Sequence, residues 1–263
     1  MSFFTDLIDL ILPESCAGCG GAPLLLCDAC EMPLGAPARP ARTAPDGLPP
    51  PWTVAAYEGP LRAILAAYKE RGRTALAVPL GEALTRSLRA ALAPHLSHTH
   101  HEGRRVTTEK PPAARDERVL SLGHDPPAVV WVPSRRRAVR RRGHDAVQGL
   151  VDVAVQRLRA DGVQVIGMDA LKQRKRVADQ AALTAAQRSA NLRGALELKP
   201  HAEVAGRSIV LVDDVVTTGA SLAEAGRVLR AAGADLLGAA TVAATPRRHP
   251  LMRTPAPTRT PHG

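Results

Sequence analysis

Short β-branched runs alternate with stretches of helical period through most of this chain. In the second half, VVWVP (129–133) predicts a strand and HDAVQGLVDVAVQRLRA (144–160) a helix. VQVIGMDAL (163–171) predicts another strand, the region around Ala185 to Asn191 a short helix, and IVLV (209–212) a strand whose continuous apolar character fits burial on both faces. A helix across Ser221 to Ala232 and a last strand at ADLLGAATVAA follow. In the first half, WTVAAYEG (52–59) reads as a strand, and LRAILAAYKERG (61–72) as a helix with Leu61, Ile64, Leu65 and Tyr68 on one face. A further helix is expected over Val78 to Leu92. Strands alternating with helices imply a parallel sheet with crossovers, so the expected class is α/β.

The periodic stretches are separated by segments without periodicity. At the start, Phe3, Phe4, Leu7, Ile8, Ile11 and Leu12 recur at helical spacing, which predicts an amphipathic helix docked on its own protein. The stretch 36–51 is rich in Pro, Ala and Gly and reads as a linker. From Pro94 to Pro127 the chain is polar and irregular, with His95, His98, His100 and His101 close together. No cysteine or periodic element accompanies those histidines, so a disordered insertion over 97–127 is preferred to a metal site. The expected organisation is a helix and cysteine module over 1–35, the linker, an α/β domain over 52–245 and a disordered basic tail over 246–263.

A formal net charge of +10 points toward polyanionic partners, but its distribution matters more than its sum. Residues 1 to 38 hold no Lys or Arg. The basic groups gather in RRRAVRRR (135–142), in KQRKR (172–176) and in the tail at Arg247, Arg248, Arg253 and Arg259. The first two clusters follow predicted strands and can meet at one site, or they form a solvated surface that binds nucleic acid unspecifically. Single-stranded DNA is one partner that such a surface would suit, but base stacking needs aromatic side chains, and few are present. No segment reaches the length of a membrane span, and the opening residues lack the basic start and cleavage site of a secretory signal. No membrane insertion and a cytoplasmic location are expected.

All four cysteines fall in two Cys-x-x-Cys turns, Cys16 and Cys19, then Cys27 and Cys30. Two such turns complete a tetrahedral sulfur shell around zinc, and a full shell leaves no open position, so the site is expected to be structural. A redox dithiol would need only one of the pairs.

The most informative stretch is IVLVDDVVTTGAS (209–221). Asp213 and Asp214 fall at the carboxyl end of the predicted buried strand, where open α/β sheets place ligands. Thr217, Thr218 and Gly219 form a turn into the following helix, so backbone N–H groups and the positive end of the helix dipole converge there. Such a pocket suits a phosphate. Carboxylates beside it would repel that phosphate unless they accept hydrogen bonds from a different part of the ligand, and vicinal hydroxyls supply the donors. A sugar phosphate with a free diol meets both demands.

IVLVDDVVTTGAS resembles the signature of type I phosphoribosyltransferases. The resemblance implies that fold, with Asp213 and Asp214 on the ribose hydroxyls of phosphoribosyl pyrophosphate and Val216, Thr217, Thr218, Gly219 and Ser221 around its 5′-phosphate. YEGPLRAILAAYKERGR, VPSRRRAVRRRGHD, RVADQAALTAAQRSANLRGAL and the cysteine knuckle together look like the ComF family, linked to competence and DNA uptake. The likeness spans nearly all of the chain except 97–127 and the tail, and departs at His144 and Asp145, where relatives often carry an aromatic residue and Asn. It implies pyrophosphate facing the loop after VVWVP, with amides near Ser134 and the side chains of Arg135 and Arg142 on the leaving group, and magnesium assisting. KQRKRVADQ resembles a mobile loop closing over the site, with Arg176, Gln180, Arg188 and Asn191 as functional candidates; Arg188 and Asn191 can equally cap and brace a short helix. The implied activity is transfer of phosphoribosyl to an acceptor. The alternative is a ligand sensor or a DNA-uptake accessory working with uptake or recombination proteins. Glutamine-dependent amidotransfer is not expected, because it needs a glutaminase nucleophile and the chain opens on a cysteine knuckle instead.

Overall fold

The computed structural model describes residues 15–42, 44–96, 125–134, 139–140, 143, 145–174 and 194–246. Its centre is a seven-stranded sheet in which β1 (Arg39–Pro40), β2 (Trp52–Ala56), β9 (Asp235–Ala244), β7 (Ser208–Val212), β3 (Ala128–Trp131) and β4 (Ile166–Met168) lie side by side in that order. The short β8 (Val215–Val216) also pairs with β9. Every pairing is parallel except β1 with β2. The α/β expectation is therefore met.

Strand alternation divides the interior in two. Val129, Trp131, Val210, Val212, Ala240 and Val242 enter one core, and Ala128, Val130, Val132, Ile209, Leu211 and Ala239 enter the other. Period-two side-chain geometry accounts for this split, and a strand buried on both faces must be apolar at every position. On the first face lie α2 (Gly59–Glu70), α3 (Ala77–Leu96) and α4 (Ala146–Ala160), which present Ile64 and Leu65, Leu80, Leu84 and Leu88, and Leu150 and Leu158. α5 (Ala220–Ala231) covers the second face with Leu222, Ala225 and Leu229. Helices on opposite faces are what right-handed crossovers produce when the chain leaves β3 and β7 in opposite directions along the sheet. The crevice between the carboxyl ends of β3 and β7 is thus a topological switch point.

Three expectations change in contact with the structure. VQVIGMDAL is not one strand: β4 stops at Met168, and after Asp169 and Ala170 the chain opens β5 (Leu171–Gln173), which pairs antiparallel with β6 (Leu196–Leu198) in a separate two-stranded sheet. Buried Ala170 and Leu171 turn into the second core there, which the apolar run alone does not distinguish from a continuing strand. The stretch 36–51 is not a free spacer. β1 protects the edge of β2, Ala38 packs on the first core, and Ala41 and Leu48 are buried in the second, so this segment wraps the sheet edge as a strap. The cysteine knuckle, with α1 (Asp28–Glu31) and the 3₁₀ turn Met32–Gly35, is no separate body either: Cys16, Ala17, Cys30 and Leu34 belong to the first core. Arg73 Nη1 also donates to Ser15 O at 2.9 Å.

The helix expected in 1–14, the His98, His100 and His101 group, the helix around 185–191 and the basic tail residues Arg247, Arg248, Arg253 and Arg259 lie outside the described residues. Among the described residues no helix is long and apolar enough to cross a membrane.

α3 and α4 pack closely because Gly81 has no side chain. A Cβ there would sit 2.5 Å from Val153 Cβ and 3.2 Å from Leu150 O. Gly81→Ala is expected to destabilise the fold by about 1–3 kcal/mol through overpacking, measured as a lower midpoint in urea unfolding; an unchanged midpoint would show that the helices separate freely.

Candidate functional site

The acid pair sits where the strand runs out. β7 holds Ile209 to Val212 fully buried, and Asp213 and Asp214 follow at the switch point, the first half-buried and the second buried. Asp213 N donates to Ala240 O at 3.3 Å, and Val242 N and Ala243 N donate to Asp214 O at 3.0 and 3.2 Å, so β9 fixes the backbone of both residues. Asp213 Oδ1 accepts from Asp214 N at 2.9 Å.

Lys69, in the last turn of α2, forms an ion pair with Asp214 Oδ2 and remains one-third exposed. Sequence reasoning passed over it. A signal was available: Lys69 stands four residues after Leu65, so a charge continues the apolar stripe of α2. Burial, and then the neighbouring Asp214 charge, push the Asp213 carboxyl well above its ordinary value of 3.8, although Lys69 opposes the shift.

Beyond the acids, Val215 and Val216 pair with β9, and Thr245 N donates to Val216 O at 2.9 Å. The Val216 side chain lies in the second core, so it is the backbone of this residue that borders the turn. Thr217 and Thr218 are exposed, and Gly219 caps α5 in the left-handed region with φ 78°. That conformation favours glycine, and space requires it as well, since a Cβ there would lie 2.9 Å from Pro45 Cγ. The strap therefore rests directly on the turn. Arg230 of α5 donates to Gly47 O, and Leu48 packs near Gly226, which secures the contact. Ser221 is half-buried in the first turn of α5.

A groove of about 670 Å³ opens beside the turn, bordered by Gly47, Gly194, Thr218, Gly219, Glu224 and Arg227. The buried Glu224 accepts from Gly194 N at 2.8 Å and from Arg227 Nε and Nη2 at 2.8 Å each. Burial pushes its carboxyl up, but Arg227 and the Gly194 amide outweigh this and hold it below its ordinary value. Glu224 thereby ties the segment just before β6 to α5, a link no local pattern announces.

Across the crevice, Asp145 caps α4 by accepting from Val147 N at 3.0 Å. It also accepts from Ser134 N at 2.8 Å and Ser134 Oγ at 2.7 Å. This corrects the expectation for the amide of Ser134: it is committed to Asp145 and is not offered to a leaving group. It also gives Asp145 a role, as the clasp that closes the loop after β3. Arg135, Arg142, His144, Arg176, Gln180, Arg188 and Asn191 lie outside the described residues.

The four cysteine Sγ atoms lie within 4.8 Å of one another. Cys27 Sγ is 3.7 Å from both Cys16 Sγ and Cys19 Sγ, and sulfurs of a tetrahedral zinc site with bonds of about 2.3 Å stand about 3.8 Å apart. Burial pushes the Cys16 thiol up, but amide hydrogen bonds from Cys19, Cys27 and Gly18 bring it to about 6; burial and the adjacent thiols push Cys30 up to about 12. Four thiolates can share so small a volume only around a cation. Gly18 makes room for them, because a Cβ there would lie 2.7 Å from Cys30 Sγ. The cluster fits a zinc knuckle.

The family model described as phosphoribosyl transferase domain matches residues 148–256, a span that includes the acid pair and the turn. Among solved structures, one adenine phosphoribosyltransferase is 17% identical, with 68% of this chain and 74% of that chain covered and a TM-score of 0.31. Another, from Saccharomyces cerevisiae and complexed with an imino-altritol bisphosphate and adenine, is 18% identical, with 64% and 73% covered and a TM-score of 0.31. The search of curated proteins gave no match.

Two outcomes follow from this geometry. Since the folded pKa of Asp213 exceeds its unfolded value, the protonated acid favours the folded state below the ordinary value of 3.8, and that benefit is lost as pH rises through the folded pKa. Asp213→Asn keeps the Oδ1 acceptor without the charge, so it should raise Tm at pH 8 and leave it nearly unchanged at pH 3.5; equal shifts at both pH values would count against a strained carboxylate. For the knuckle, a zinc-sensitive dye should detect one zinc per chain on denaturation, and Cys27→Ser should release none and lower Tm for the whole domain. A domain melt unaffected by Cys27→Ser would separate the knuckle from the core.

Proposed function

We propose that this chain binds phosphoribosyl pyrophosphate at the carboxyl ends of β3 and β7 and transfers its phosphoribosyl group to an acceptor nucleophile. One observation carries the reading: adjacent carboxylates at a topological switch point lead, within three residues, into a Thr-Thr-Gly turn that opens α5 and leaves both threonines exposed. The match of residues 148–256 to the phosphoribosyl transferase domain supports it.

In this reading, Asp213 and Asp214 accept hydrogen bonds from the ribose hydroxyls. The amides of the turn 216–219, the hydroxyls of Thr217, Thr218 and Ser221, and the positive end of α5 receive the 5′-phosphate. The bond from the anomeric carbon to pyrophosphate breaks with its electron pair leaving on oxygen, and the acceptor's lone pair forms the new bond. Arg135, Arg142, Arg176 and Gln180 are the candidates to neutralise the departing charge. Magnesium on the pyrophosphate supplies Lewis-acid assistance when bound. The knuckle, holding zinc through Cys16, Cys19, Cys27 and Cys30, acts as a structural element, since a full sulfur shell has no place for substrate.

The knuckle, the motif and the stretches resembling ComF proteins suggest that family as the nearest functional context. The pocket, rather than a DNA-binding surface, is the reading the geometry favours, because the acid pair and the turn lie together at the carboxyl end of β7.

Calorimetric titration with phosphoribosyl pyrophosphate and magnesium tests the proposal. Wild-type protein should bind, and Asp213→Asn with Asp214→Asn should lower affinity at least about a hundredfold, as expected when two charge-assisted hydrogen bonds are lost. Normal binding by the double variant would refute the site.

A further inference from the structure

Lys69 reaches the acid pair from an element that carries none of the sugar-phosphate motif. It ends α2 on the first core, while both acids belong to the loop after β7, so only the folded sheet brings them together. Two neighbouring carboxylates of limited exposure repel each other, and alone they would share one proton. A shared proton turns one oxygen into a donor at the place where a diol needs acceptors. The groups facing the Lys69 ammonium include Asp214, Asp213 and Tyr57. Of these, only the two acids change charge below the ordinary tyrosine range.

We propose that Lys69 is a positioning residue for ribose recognition: its ammonium pairs with the Asp214 carboxylate and orients it, so the acid pair offers acceptor oxygens to both hydroxyls of an incoming pentose phosphate. The inference rests on reading Asp213 and Asp214 as ribose ligands, and it adds the element that keeps them competent near neutral pH. Lys69 acts through Asp214, not by contact with the phosphates.

The test is calorimetry with ribose 5-phosphate and 2-deoxyribose 5-phosphate at pH 7, 8 and 9, where the ligand phosphate is predominantly dianionic. Wild-type protein should prefer the ribose ligand at every pH. A failure to bind either ligand, or to discriminate between them, would overturn the ribose reading itself and the Lys69 role with it. If wild type behaves as expected, Lys69→Gln decides the role alone. It should bind ribose 5-phosphate about tenfold more weakly at pH 7, the effect of losing an opposite charge beside a carboxylate, and recover most of the loss by pH 9. Lys69→Arg should keep the wild-type profile. Unchanged affinity in Lys69→Gln, or a loss of equal size at all three pH values, would overturn the proposal.

Because Lys69→Gln leaves a buried carboxylate unpaired and can unfold the protein, Lys69→Gln with Asp214→Asn supplies a folded comparison. An effect transmitted through Asp214 makes this double variant bind within twofold of Asp214→Asn alone. A markedly weaker double variant would assign Lys69 to direct ligand contact and sink the positioning role.

Discussion

Two acids side by side at the end of a buried strand are an electrostatic liability, and the arrangement around them is organised by that fact. Burial and mutual repulsion push Asp213 toward its neutral form, and the ammonium of Lys69 offsets part of the penalty from across the first core. The position of Lys69 depends in turn on α2, whose apolar stripe of Leu61, Ile64, Leu65 and Tyr68 is buried in the first core. Tyr68 adds a hydrogen bond from its hydroxyl to Ala146 O at 2.9 Å, which joins α2 to the start of α4. The same turn of α4 carries the Asp145 clasp on Ser134. One apolar seam thus joins the helix that brings Lys69 to the acids and the helix whose cap, Asp145, holds Ser134.

The cysteine knuckle and the strap extend this dependence to the opposite face. Cys16, Cys30 and Leu34 are part of the first core, and the chain leaving them wraps the sheet edge to bury Leu48 in the second. Between these points Pro45 rests on Gly219, at the N-terminus of α5. A proline adds stiffness at the contact, and a glycine with positive φ leaves no side chain to push it away. The geometry of the turn is therefore maintained partly from outside the α/β domain that the periodic pattern delimits.

Local patterning made much of the fold legible. The fully apolar IVLV run, the stripe on α2, the i, i+3, i+4 spacing of Val147, Leu150, Val151 and Ala154 on α4, and the two Cys-x-x-Cys turns each reflect a constraint acting within a few residues. The acid pair and the turn were legible for the same reason, since strand, carboxylates, turn and helix are consecutive. The break after Met168 was not, because an apolar run at a change of sheet looks like a longer strand. Nor was the strap, whose Pro-rich composition describes a spacer and a packed edge segment equally well.

By itself, the sequence determined the α/β class, the two-sided burial of β7, the cysteine quartet and the place of Asp213, Asp214 and the Thr-Thr-Gly turn at one strand end. All of these are consequences of neighbouring residues and of backbone period. Only the tertiary structure decided that Lys69 would meet Asp214, that Asp145 would take the Ser134 amide, that Glu224 would hold Gly194 and that Pro45 would cover Gly219. Those pairs are separated by 11 to more than 100 residues. Their meeting depends on strand order and helix placement, which no local pattern encodes.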